Sequence, residues 1–97
     1  MTVTALLELT LKAEAVADAP RIRTETLEAT RAFAGNQGVE VLINVADPAH
    51  VMVIERWASL DHDDAYRTWR ATPEGASELG TLLAEPPRLT RWNPSGT

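Results

Sequence analysis

The order in which two hydrophobic rhythms follow one another restricts this fold more than any single residue does. Between Val3 and Lys12 the apolar Ala5, Leu7, Leu9 and Leu11 alternate with Thr4, Leu6, Glu8 and Thr10, a period of two that marks a strand. Ile22, Thr26, Ala29 and Phe33 then recur at helical spacing. They follow Asp18, a capping residue, and Pro20, whose missing N–H does no harm in a first turn, so a helix is predicted over about 19–34. Gly35-Asn36-Gln37-Gly38 brings the turn chemistry that ends it. Val39, Val41, Ile43 and Val45 return to a period of two, as do Val51, Val53 and Glu55 against Met52, Ile54 and Arg56, with Asp47-Pro48-Ala49 expected as the hairpin loop between them.

A second helical pattern starts at Ser59 or Asp61 and is expected to break at Thr72-Pro73, because proline disfavours helical geometry in the residue before it. A short helix is predicted over 74–84, ended by Pro86-Pro87. Leu89-Thr90-Arg91-Trp92 makes a last strand, and a mobile tail is expected over 93–97. The resulting expectation is an α+β, ferredoxin-like βαββαβ fold with an antiparallel sheet, one domain over 1–97 with its core at about 3–92. Apolar residues stand at both parities of the strands, Leu6 and Leu42 as well as Leu7 and Ile43. Helices can cover only one sheet face, so the other also calls for burial, and pairing of two copies satisfies it.

A chain of 97 residues buries only about 60–65 % of its unfolded surface, which strengthens the expectation of a homodimer. Fourteen acidic against nine basic residues, the latter scattered, make nucleic acid a poor partner. With no cysteine, disulfides, thiolate nucleophiles and sulfur-ligated metals are excluded together. No apolar run approaches the roughly 20 residues that cross a bilayer, and Met-Thr-Val-Thr-Ala lacks the features of a signal peptide; no membrane role and a cytoplasmic location are the expectations.

Polar aromatics and titratable groups concentrate between Arg56 and Arg70. In a helix starting near Asp61, His62, Tyr66, Trp69 and Pro73 line one face. Histidine as a residue type can exchange a proton near neutral pH and a tyrosine carries a hydroxyl, so His62 and Tyr66 are candidate catalytic groups for an ionisable phenol or enol. The structural alternatives are an exposed helix start for His62 and a core position for Tyr66. Trp57, Trp69 and Trp92 are either core plugs or pocket walls. Arg31 is either a surface ion pair or an inward-pointing anion contact, and Asn44 either a half-exposed strand residue or a ligand donor; with Arg70 they complete the candidate substrate-binding set. His50 and His62, twelve residues apart, match no metal-ligand pattern, so no metal site is expected. There is no Gly-rich phosphate loop or nucleophile elbow, so nucleotide cofactors and covalent acyl chemistry are not expected.

The strand at Val3, the helix ending Thr30-Arg31-Ala32-Phe33, the Gly38-Val39-Glu40-Val41 start of the hairpin and above all Ile54-Glu55-Arg56-Trp57-Ala58-Ser59 leading into Ala65-Tyr66 resemble the antibiotic biosynthesis monooxygenase family, from about Val3 to Trp92. The resemblance implies a dimeric α+β barrel. It also implies a cofactor-independent monooxygenase in which a dry cavity stabilises a deprotonated phenol whose ring reduces dioxygen, the substrate being a phenolic, quinol or polyketide-like aromatic and the cofactor none. Trp57 matches the family's strand-end Trp and Tyr66 resembles the helix Tyr of the polyketide oxygenases. The Asn those oxygenases carry four residues before the Trp is Val53 here. Trp69 resembles a Trp of the haem-degrading branch, but Leu79 falls where its iron-ligating His would be, which disfavours haem degradation. A proton-transferring cyclase or isomerase on the same fold and a non-catalytic ligand-binding module are the alternatives.

Overall fold

The computed structural model describes residues 1–97. Strand β1 (Val3–Thr10) leads through a short 3-10 turn (Ala13–Ala15) to helix α1 (Ala19–Ala32). The hairpin β2 (Asn36–Asn44) and β3 (Asp47–Trp57) follows, then helix α2 (Leu60–Arg70), a second 3-10 turn (Glu78–Leu82) and β4 (Arg88–Trp92). The sheet is antiparallel in the order β2-β3-β1-β4, so this is the expected ferredoxin-like α+β fold. No helix is long and apolar enough to cross a membrane.

Strand parity decides what each face becomes. Val3, Ala5, Leu9, Val51, Val53, Glu55 and Trp57 share the face under the helices and are all buried. Opposite them, Ile22 and Leu27 of α1 and Leu79 of the second 3-10 turn close the main core, while Ala5, Trp57 and Tyr66 form a second cluster with Phe33 and Trp69 packed against it. On the other sheet face Leu6, Met52 and Ile54 are half-buried, and Leu42 and Trp92 are exposed.

Two expectations need correction. The hairpin turns at Val45-Ala46, and Asp47-Pro48-Ala49 already belongs to β3. Asn44 Oδ1 accepts from the Ala46 N–H at 2.8 Å and Asp47 Oδ1 from the Ala49 N–H at 3.0 Å, so two side-chain-closed turns replace the longer loop, with a register shift at Ile43/Asn44. The helix predicted over 74–84 shrinks to the 3-10 turn Glu78–Leu82. Gly75 is buried so tightly that an added Cβ would lie 2.0 Å from the Trp69 carbonyl oxygen, and Gly80 lowers helix propensity further on.

Candidate functional site

Helix α2 starts where Ser59, in extended conformation, accepts a hydrogen bond from the His62 N–H at 3.2 Å; Asp61 and Asp63 in the first turn favour the positive helix end. One further turn along, α2 turns Asp63, Tyr66, Arg67 and Arg70 toward the sheet and α1. Asp63 and Tyr66 are buried, Arg67 and Arg70 partly so.

These residues meet the one buried carboxylate of β3. Glu55 is 1 % exposed. Its Oε1 accepts from Arg67 at 2.5 Å and from the Trp57 indole N–H at 3.3 Å, while Oε2 has no protein partner. Arg67 also approaches Asp63, Nε to Oδ1 at 3.0 Å, close enough for an ion pair but not aligned as a hydrogen bond. Arg91 of β4 closes the chain of charges from outside, 3.6 Å from Asp63 and paired with Asp64. Its guanidinium pKa is raised, above all by the hydrogen bond to Asp64, with desolvation opposing it and the charges of Asp64 and Asp63 adding to it.

A neighbouring network holds α1 to α2. Arg70 Nε donates to the Tyr66 hydroxyl at 2.7 Å, its NH2 to Thr30 Oγ1 at 3.1 Å and the Thr26 carbonyl at 2.8 Å, and its NH1 to the Gly75 carbonyl at 3.0 Å. Tyr66 and Thr30 hydroxyls lie 2.6 Å apart. Either hydroxyl can donate to the other, and Thr30 Oγ1 also lies 3.3 Å from the Thr26 carbonyl, to which it can donate instead. No carboxylate lies within ion-pair distance of Arg70, whereas Arg67 has two.

Both networks border a cavity of about 460 Å³ between the sheet, α1 and the segment 76–89. Its walls are apolar, with Leu7, Leu9 and Val53 from the sheet, Leu27 from α1, and Leu79, Leu83, Pro87 and Leu89 from the C-terminal segment. Glu55, Tyr66, Arg67 and Arg70, with Thr26 and Ser77, supply its polar lining. A volume in this range suits a small organic molecule, and an apolar pocket with a few convergent polar groups is the usual form of such sites.

Of the residues singled out in the sequence, Tyr66 and Arg70 line this cavity. Trp57 and Trp69 stand behind it: Trp57 is fully buried with its ring 4.9 Å from that of Tyr66, and Trp69 packs on Phe33 and under the Arg70 guanidinium. His62 is elsewhere, exposed at the start of α2, with Nδ1 2.7 Å from Ser59 Oγ and its ring lying over Gly35. Arg31 is exposed and donates to the Val39 carbonyl at 3.3 Å. Asn44 and Trp92 are exposed, Asn44 beside His50 at the hairpin end and Trp92 on the uncovered sheet face. Two cavity groups, Glu55 and Arg67, were not among the sequence candidates. The signal for Glu55 was present, since it shares its strand parity with Val51, Val53 and Trp57 and is the only charged residue at a core parity of β3 above Asp47. Arg67 has no comparable mark.

An antiparallel β2-β3-β1-β4 sheet with two helices on one face, and an apolar cavity lined at one side by Glu55, Arg67 and Arg70, defines a ferredoxin-like α+β protein with a pocket of small-molecule size. The model of the family described as antibiotic biosynthesis monooxygenase matches residues 2–78, and the chain belongs to this family. Among solved structures it is similar to an antibiotic biosynthesis monooxygenase (17 % identity, TM-score 0.80, covering 95 % of this chain and 97 % of that one). It is similar also to Rv0793 from Mycobacterium tuberculosis (18 %, TM-score 0.78, 97 % and 95 %). A third is a mutant form of SnoaB, a cofactor-independent oxygenase from Streptomyces nogalater (18 %, TM-score 0.79, 99 % and 95 %). At these identities the likeness is one of fold. Among curated proteins, none matches the chain.

The family match ends at residue 78, before Leu79, Leu83, Pro87 and Leu89. One wall of the cavity therefore lies beyond the residues that the family model matches.

Proposed function

We propose that the protein is a cofactor-independent monooxygenase that binds a phenolic, quinol or polyketide-like aromatic substrate in the 460 Å³ cavity, and that it works as a cytoplasmic homodimer. Family membership supports a monooxygenase-like role in general, and SnoaB provides an example of a cofactor-independent oxygenase on this fold. The observation that carries the finer reading is the cavity itself. Its apolar walls suit a flat, apolar ring, and its charged lining suits the oxygen function such a ring carries.

In this reading the substrate loses a proton to become an electron-rich anion, and Arg70, with no carboxylate partner, faces the charge. The anion passes two electrons to dioxygen as a C–O bond forms. After reprotonation, loss of water from the hydroperoxide leaves a carbonyl, so one oxygen atom ends in the product and one in water. Tyr66 holds Arg70 and Thr30 in place and presents its ring to the substrate; Trp57 and Trp69 support that ring from behind. His62 lies outside the cavity lining, so this reading assigns it no part in the step.

The uncovered sheet face, with Leu6, Leu42, Met52, Ile54 and Trp92, supports the homodimer, since two copies facing each other would bury it. The decisive assay is oxygen uptake by metal-stripped protein against anthrones, naphthols and hydroquinones, with product mass read in parallel. Uptake with a product gaining oxygen is expected. A changed product without uptake would indicate a proton-transferring cyclase or isomerase, and binding without either a ligand-binding module.

A further inference from the structure

Glu55 stands out among the buried ionisable groups because nothing in the fold requires a carboxylate there. Its neighbours on the same strand face are Val53 and Trp57, and its cross-strand partners are Ala5 and Val39. Removing such a group from water is costly unless it is paired, and Arg67 supplies the pair. The pairing is one-sided, however. Both hydrogen bonds fall on Oε1, and Oε2 has no protein partner although Glu55 borders the cavity. An ionised carboxylate oxygen accepts hydrogen bonds and cannot donate them, so the group it fits is a donor on the ligand.

We propose that Glu55 is the proton acceptor for a hydroxyl of the bound aromatic molecule, an assignment that rests on the function proposed above. In the transfer the ligand O–H bond breaks, an O–H bond forms at Oε2, and the electron pair stays on the ligand as a phenolate or enolate. No redox change occurs and no other reactant is consumed. The cavity charge is unchanged, because the negative charge moves from Glu55 to the ligand while Arg67 and Arg70 remain as cations beside it. That is the transfer an apolar cavity permits most readily, since no net charge is created in it. The ligand class follows as a hydroxylated aromatic, in preference to its O-methyl ether or its quinone, which have no proton to give.

The test compares 2-naphthol with 2-methoxynaphthalene by calorimetric titration of the wild-type protein, Glu55→Gln and Glu55→Asp, together with anthrone-dependent oxygen uptake. Wild type should prefer the naphthol by about tenfold or more, the value of a hydrogen bond to a charged group. In Glu55→Gln the amide carbonyl keeps Arg67 and the NH2 faces the ligand, so the preference should vanish or reverse and uptake should fall at least about 100-fold, in keeping with loss of a general base. Glu55→Asp keeps the charge but withdraws it by one methylene, and should give an intermediate preference. Circular dichroism establishes that each variant is folded; should neither fold, equal wild-type affinity for naphthol and ether overturns the assignment by itself. A preference and an uptake rate unaffected by Glu55→Gln overturn it while leaving the oxygenase reading intact. A Glu55-dependent preference without any uptake supports Glu55 and removes the oxygenase reading, and absence of both binding and uptake removes both.

Discussion

Replacing Arg67 by methionine keeps the aliphatic stem and removes the only charge that two buried carboxylates share. Glu55 and Asp63 have side chains 1 % and 0 % exposed, and Arg67 itself is 23 % exposed. Without it, Asp63 retains Arg91 at 3.6 Å, whereas Glu55 retains only the Trp57 indole N–H at 3.3 Å. The uncompensated charge therefore falls mainly on Glu55. Breaking a buried pair from one side costs about 3–5 kcal/mol, a large share of the roughly 5–15 kcal/mol that stabilises a small protein. Urea denaturation followed by Trp fluorescence, at one protein concentration because of the expected dimer, should show the midpoint falling by roughly 2 M if the slope is about 1.5–2 kcal/mol/M. Removing both charges in Glu55→Gln/Arg67→Met should recover about 2 kcal/mol relative to Arg67→Met alone, since an uncharged pair has little desolvation to offset. A loss under about 1 kcal/mol in Arg67→Met would refute the reasoning, because the pair would then behave like an exposed surface ion pair.

Gly35→Ala should cost about 1–3 kcal/mol, since Gly35 has φ of +88° and an added Cβ would stand 2.3 Å from the His62 ring. Adding His62→Ala should restore the part due to the clash and leave the backbone part, which thermal melts of the two variants would separate. Arg91→Gln should cost less than about 1 kcal/mol, because Arg91 is 37 % exposed and solvent screens its pair with Asp64. The guanidinium pKa is raised on folding, so whatever the pair contributes is complete below the ordinary arginine value and lost only as pH rises past the raised one. The wild-type minus Arg91→Gln difference in unfolding free energy should accordingly be flat as far as the guanidinium is concerned across the neutral range. Met52→Asp, a charge at the centre of the uncovered sheet face, should convert the expected dimer to monomer in light scattering while the far-UV spectrum stays that of the wild type.

The strands and α1 were legible because their information is local. A period of two over eight residues and a turn rich in glycine need no partner to be recognised, and β1, α1, β2 and β3 lie within a few residues of where periodicity puts them. The hairpin turn was misplaced by two residues because Pro48 drew the loop toward itself. A proline at the second position of a strand satisfies its missing N–H as well as a loop does, and what set the turn was the Asn44 side chain closing onto Ala46. The helix over 74–84 failed for a tertiary reason: Gly75 has to lie against Trp69, a contact no window of sequence reveals.

The candidate site was legible in part, and the division has a physical cause. Helical spacing placed His62, Tyr66 and Trp69 on one face, but a helix face spans a wide arc. Tyr66 points to the cavity while His62, one turn nearer the start of α2, is held at the cap by Ser59 and turned to Gly35. Residue type suggested chemistry for both; only depth along the helix separates them. Strand parity is a sharper guide, because successive side chains must point to opposite faces. On β3 it assigns Val51, Val53, Glu55 and Trp57 to one side, and once three of the four are apolar that side is a core. A carboxylate forced onto it has to find a cation or a ligand. The single arginine that reaches Glu55 engages one of its two oxygens, which leaves the other to whatever donor the cavity admits.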